Sequence, residues 1–222
     1  MAWTKQPKNL IILSALLLSG CATTGVNQDT VDSNRTLNEA AQRGDCAGAT
    51  AALNALEEQG AATNTLAQGY LTTAHACLVA EQYAIGKEQA EHYGVRYPSQ
   101  PNQDYASYLA LMAGFLQWEA PLERSDSEYS PGEIINGARE ILSSVKQFRD
   151  TYSSSDYLEA LIPIANQLRS QIADAELSIA KRTRDDGNFT EASERARYII
   201  DYYPRTEAAE EASAMLETLS ES

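Results

Sequence analysis

The chain has 222 residues, of which 17 are Lys or Arg and 31 are Asp or Glu, giving a formal net charge of −14; 43 % of its residues are hydrophobic. That length builds one sizeable core, or one repeat array that behaves as a single domain. The acid is spread along the chain rather than gathered in a tail, which reads as a solvated helical surface and argues against nucleic acid and against lying flat on anionic lipid.

Lys5 and Lys8 open the chain, and no acid precedes Asp29. The apolar run from Leu10 to Leu18 follows, the layout of a secretory signal. It is about half the ~20 residues that a helix needs to cross a bilayer core. Leu18-Ser19-Gly20-Cys21 closes the segment and resembles a bacterial lipobox. The resemblance implies that residues 1–20 are a cleaved signal peptide and that lipid is attached to Cys21. Ala22 stands where an aspartate is associated with inner-membrane retention, so an outer-membrane anchor facing the periplasm is expected. Several acyl chains, at ~0.8 kcal/mol per buried methylene, hold a soluble domain firmly to a leaflet. Removing residues 1–20 takes two lysines and no acid, which leaves a mature charge of −16.

Residues 21–35 have few apolar side chains and no helical stripe, and are expected to form a flexible lipidated tether. From Thr36 to residue 220 the texture changes to alanine-rich segments with apolar spacings of three and four, the mark of amphipathic helices. Strand-type alternation is nearly absent, so the body is expected to be all-α. Turn residues recur at Gly44-Asp45, Gly60, Tyr97-Pro98, Tyr152-Ser153, Gly187-Asn188 and Tyr203-Pro204. Three segments share one rhythm of helix, turn, helix and aromatic: Thr30 to Gly60, Ala67 to Pro98, and Asp174 to Pro204. These spacings match the tetratricopeptide repeat of about 34 residues, and predict a superhelix of four to five helical hairpins over 36–220. Small residues (Ala74 and Gly86, Ala180 and Ala192) should let paired helices approach, while Tyr83 and Phe189 fill the wedge beneath them. Pro163 should kink or break a helix between Ile162 and Ala165.

Three stretches are more specific. Gln100-Pro101-Asn102-Gln103-Asp104-Tyr105-Ala106-Ser107-Tyr108-Leu109 is similar to the proline-, aspartate- and tyrosine-rich helix start in the middle of the BamD family. Phe148-Arg149-Asp150-Thr151-Tyr152-Ser153-Ser154-Ser155-Asp156-Tyr157 resembles a helix junction of that family, without its usual proline. Leu168 to Pro204 resembles its last full repeat. The resemblance implies a non-enzymatic, membrane-anchored scaffold that takes part in outer-membrane β-barrel assembly and insertion. Its implied partners are the barrel-forming assembly subunit, other envelope lipoproteins, and the membrane through an N-terminal lipid. The chain stops at Ser222, where the family usually continues, which bears on docking by the C-terminal repeats. The alternative is a general envelope adaptor for cell-wall enzymes or for a secretion or pilus complex.

No nucleotide, metal or triad motif stands out, and no cofactor is implied. Ser143-Ser144-Val145-Lys146 has the spacing of a serine–lysine pair without its supporting motifs, and Arg184 to Asn188 reads as a turn rather than a calcium loop. His75 and His92 sit in no ligand pattern. Tyr70, Asn102, Tyr105, Tyr108, Asn166 and Arg197 are the candidate lining of a partner-binding groove; taken singly, each tyrosine reads as core. Cys46 should open the second helix of the first repeat, and Cys77 should fall late in the first helix of the next. Antiparallel stacking brings both to one end of the array, where they form either a disulfide or two buried thiols.

Overall fold

The computed structural model describes residues 28–122 and 129–220, all of it helices and turns. Cys21 and residues 1–27 lie outside this range. Nine helices are present among the described residues: α1 (Gln28–Gln42), α2 (Cys46–Glu58), α3 (Thr63–Val79), α4 (Tyr83–Arg96), α5 (Gln103–Glu119), α6 (Pro131–Thr151), α7 (Leu158–Asp185), α8 (Phe189–Tyr202) and α9 (Glu207–Ser220). Consecutive helices pack as hairpins, and α9 packs on both α8 and α7. This is the all-α, repeat-built superhelix expected from the sequence, with four hairpins and a closing helix.

One turn recurs at three hairpins. Gly44, Glu81 and Gly187 each take a left-handed backbone, at φ 65°, 57° and 84°. The next residue's N–H bonds back across the helix end, to the carbonyls of Ala40, Cys77 and Thr183, the pattern that satisfies the last carbonyls of a helix. That next residue then caps the following helix. Asp45 accepts from the Gly48 N–H at 2.8 Å and Asn188 accepts from the Glu191 N–H at 3.3 Å. Gln82 has nearly the same backbone (φ −88°, ψ 60°) but makes no side-chain cap. Gln82→Asn should therefore raise the unfolding free energy by about 0.5–1 kcal/mol, read from urea melts, because a capping side chain is gained on unchanged backbone. An unchanged midpoint would count against the shared geometry.

The odd-numbered helices form one wall. The backbones of α1 and α3, of α3 and α5, and of α7 and α9 lie close together, whereas even-numbered helices meet only through long side chains, Arg96 of α4 on Glu57 of α2 and Arg139 of α6 on Tyr198 of α8. The odd row therefore lies inside the curve and the even row outside. Gly86 of α4 shows how close the hairpins are: a Cβ there would stand 3.1 Å from the Ala74 carbonyl and overlap Leu78. The core divides into three main clusters. The first holds Leu37, Leu53, Leu56, Tyr70 and Leu109; the second, Phe115, Phe148, Leu161 and Ile172; the third, Leu177, Ala196, Ile199 and Met215. Tyr108 packs against both the first and second clusters, and Tyr203 against both the second and third.

Three expectations are corrected. The tether does not reach Arg35, because α1 begins at Gln28. Its first two turns lack an apolar stripe and are held by polar bonds instead: Arg35 to Asp32 at 2.9 Å, Thr36 to the Asp32 carbonyl, and Gln59 of the first hairpin to Ser33 at 2.9 Å. Helix α7 runs through Pro163 as one helix, so the break, the second of the two outcomes expected there, does not occur. The proline sits in the second turn, exposed, so one intrahelical bond is lost and the freed Glu159 carbonyl belongs to an exposed residue. Phe189 is 53 % exposed rather than wedged, because as the first residue of α8 it follows the turn on its solvent side; Tyr83, at the matching position, is half-buried.

At the far end of the array Asp174 of α7 faces Glu207 and Glu211 of α9. Burial first, and then these two acids, raise its carboxyl above the usual range. The folded state thus holds this proton more tightly than the unfolded one, and stability falls as pH rises through the raised value. Asp174→Asn should melt a few tenths of a kcal/mol higher than the parent at pH 7, a gain that vanishes at acid pH where both states are protonated and that shrinks in high salt.

Candidate functional site

The six groove candidates do not line one surface. Tyr70 of α3 is 3 % exposed and belongs to the first core cluster. Its hydroxyl donates to Glu57 at 2.6 Å, and Arg96 pairs with Glu57 at 2.6 Å while its guanidinium lies 5.5 Å over the tyrosine ring. Burial, and then Glu57, push the phenol well above its ordinary range, so it remains a neutral donor. Asn102 is exposed in the turn before α5, with φ 70° and no cap to the helix. Asn166 is exposed on α7 and accepts from Arg169. Arg197 is exposed on α8, in the outer row.

Tyr105 and Tyr108 do come together. Both face Tyr157, the residue that opens α7, and stack on it at 5.2 Å and 4.8 Å between ring centroids, with interplanar angles of 28° and 19°. The three rings bridge α5 and α7, whose backbones do not approach each other among the described residues. Ser155 donates to Asp104 at 2.7 Å and Ser107 donates to the Tyr152 hydroxyl at 3.2 Å, fixing the same junction. Tyr105 and Tyr108 also line a shallow cavity of about 330 Å³ between α3 and α5, on the inner wall, with His75, Val79 and Met112. Val79 is 61 % exposed there. Aromatic, aliphatic and imidazole groups in one open hollow suit the side chains of a polypeptide better than any small charged ligand.

Tyr157, Val79 and Met112 escaped the sequence reading. Tyr157 stands in the helix junction that resembles the BamD family, and its place at the start of an inner helix, one repeat after Tyr105 and Tyr108, is the signal that could have found it. Val79 and Met112 carry no such signal, since an aliphatic residue in an amphipathic helix is usually core.

Two other polar groups set helix positions rather than bind. Glu176 of α7, 6 % exposed, accepts from Arg139 of α6 and Arg195 of α8, each at 3.1 Å. Arg139 also donates to Tyr198 at 3.1 Å, whose hydroxyl lies 3.4 Å from that of Tyr203. Burial, followed by Tyr198, pushes the Tyr203 phenol up to about 12. Glu119 of α5 accepts from Gln167 of α7. Lys146 of the serine–lysine spacing is paired with Asp150 at 2.6 Å, and Arg184 to Asn188 form the α7–α8 turn.

Cys46, the first residue of α2, and Cys77, near the end of α3, are joined by a disulfide with Cα atoms 4.4 Å apart. Beside these two positions in the chain, Ala40, Ala49 and Ala76 form a small cluster of their own. No helix among the described residues is long and apolar enough to cross a membrane.

The chain is 25 % identical over 150 residues to the outer membrane protein assembly factor BamD of Neisseria gonorrhoeae, and likewise to that of Neisseria meningitidis serogroup A. The matched stretch is 68 % of this chain and 56 % of each relative, so the chain spans little more than half the length of those proteins. A family model described as YfiO, outer membrane lipoprotein, matches residues 31–221. That match takes in every repeat of the superhelix, and the chain belongs to the YfiO family of outer membrane lipoproteins.

Proposed function

We propose that this chain is a non-enzymatic scaffold, lipidated on Cys21 and held at the periplasmic face of the outer membrane, that serves the assembly and insertion of outer-membrane β-barrel proteins. The observation that carries this reading is the family match across the repeat array, supported by relatives named as assembly factors. The lipobox-like Leu18-Ser19-Gly20-Cys21 supports the anchor. With the first helix starting at Gln28, only six residues separate Cys21 from the fold. Fully extended they reach roughly 25 Å at most, so the first hairpin would work close to the lipid surface.

Its partners are the barrel-forming assembly subunit and neighbouring envelope lipoproteins, received on the inner wall at the hollow of Tyr105, Tyr108 and His75. Affinity capture from detergent-solubilised membranes should recover a large β-barrel protein. His75→Asp, on an exposed position of α3, should lower that recovery about tenfold, which corresponds to ~1.4 kcal/mol of binding, with helical content unchanged. Cell-wall enzymes or pilus components in place of the barrel protein would replace this reading with that of a general envelope adaptor. A Cys21→Ala variant that stays with the membrane pellet would remove the anchor.

A further inference from the structure

The outer row of helices holds a second hollow. The backbones of α4 and α6 stand apart across α5, and the gap between them is a groove of about 430 Å³. Its floor is one face of α5, where Ser107, Ala110 and Gly114 follow at spacings of three and four. A Cβ on Gly114 would meet nothing within 4 Å, so the floor lies open. The groove closes at one end, where the Trp118 indole occupies the space that a Cβ on Gly137 would need. Phe115 and Phe148 lie beneath it, nearly buried.

The banks carry two carboxylates, Glu91 and Glu140, against one lysine, Lys87. On α4, Lys87 and Glu91 pair with each other at 3.9 Å, which leaves little positive charge to offer. On α6, Glu140 is exposed and makes no ion pair among the described residues. An occupant suited to it brings positive charge to the α6 bank at Glu140 and an apolar stripe to a floor of small residues.

The walls also decide the occupant's backbone. Both banks are helices, whose main-chain groups are already bonded within themselves, so the groove offers side chains and no free backbone edge. An extended segment would lie on the apolar floor with its N–H and C=O groups unmatched, at a desolvation cost. A helix satisfies those groups internally, and small floor residues allow close approach of its axis. We infer that the groove between α4 and α6 is a docking site for an amphipathic helix of a partner protein, one whose apolar face is flanked by Lys or Arg. This surface is separate from the inner wall, on the opposite side of α5, and stands independently of the assembly role.

Trp118 supplies the readout. The chain has two tryptophans, Trp3 and Trp118, so in the full chain carrying Trp3→Phe all indole emission comes from the end of the groove. The probe is an 18-residue helical peptide with a Leu/Ala stripe flanked by lysines, compared with the same peptide bearing glutamates. The lysine peptide should shift Trp118 emission saturably, and the glutamate peptide should not. Gly114→Leu fills open space in a helix and should weaken binding at least tenfold while circular dichroism and the melting temperature hold. Glu140→Lys should weaken the lysine peptide about tenfold and admit the glutamate peptide. Absence of a saturable shift, or equal binding by Gly114→Leu, would overturn the proposal. So would self-association that Gly114→Leu abolishes, which would assign the groove to a second copy of the chain.

Discussion

Reduction of the Cys46–Cys77 bond should lower the unfolding free energy of the chain by about 3–4 kcal/mol. The bond closes a loop with a sequence separation of 31, and the chain-entropy relation gives that magnitude for a loop of this size. The local packing offers little to replace it. At this end of α1, α2 and α3 the contacts are those of Ala40, Ala49 and Ala76, while the leucines of the first cluster lie further along the helices. In a repeat array each unit is held mainly by its neighbours, so the loss should be concentrated in α1 to α3 and leave α6 to α9 largely intact. Denaturant melts with and without reductant, and of a Cys46→Ser/Cys77→Ser variant, measure it; hydrogen exchange locates it. Two titratable thiols from Cys46 and Cys77 in unreduced, denatured protein would end this account.

The second large effect lies at the other end of the chain. Glu176→Ala should destabilise by about 2–3 kcal/mol, less than the 3–5 kcal/mol typical of a fully buried broken pair. The reason for the discount is the asymmetry of the site: the Glu176 side chain is 8 % exposed, but Arg139 and Arg195 are 46 % and 34 % exposed and regain water when their partner is lost. For a chain of this size that corresponds to a fall in melting temperature of roughly 5–10 °C. Glu176→Leu should recover part of the loss, because it removes the buried carboxylate while keeping apolar volume between α6, α7 and α8. Equal melting temperatures for the parent and the alanine variant would show that the two arginines are held by other contacts.

The architecture was legible where the sequence carries turn chemistry. Gly44-Asp45 and Gly187-Asn188 combine a residue that tolerates positive φ with one that caps the next helix, so both hairpins could be placed to the residue. Glu81-Gln82 makes the same turn with neither advantage, and its place followed from the repeat spacing alone. The start of α1 was hidden because residues 28–35 bury little; a helix held by Asp32 and Ser33 hydrogen bonds looks like a polar linker in sequence. Cys46 and Cys77 were located correctly at the two helix positions that meet, since that inference needed only antiparallel stacking. The groove was the least legible feature. Which tyrosines share a surface depends on how far consecutive repeats rotate, and Tyr70 and Tyr105 resemble each other in sequence while one is sealed into a charged network and the other stacks on Tyr157. Arg197 failed for a related reason, since it lies on an outer helix.

The shared membership of Tyr108 and Tyr203 in adjoining clusters has a mechanical meaning. Side chains common to neighbouring blocks are few, but α5 supplies core residues to the first two blocks and α7 to the last two, so each junction is crossed by a continuous helix as well as by a phenol ring. The array is thus spliced like a timber beam: through-running helices overlap the joints between blocks, and one aromatic side chain pegs each splice.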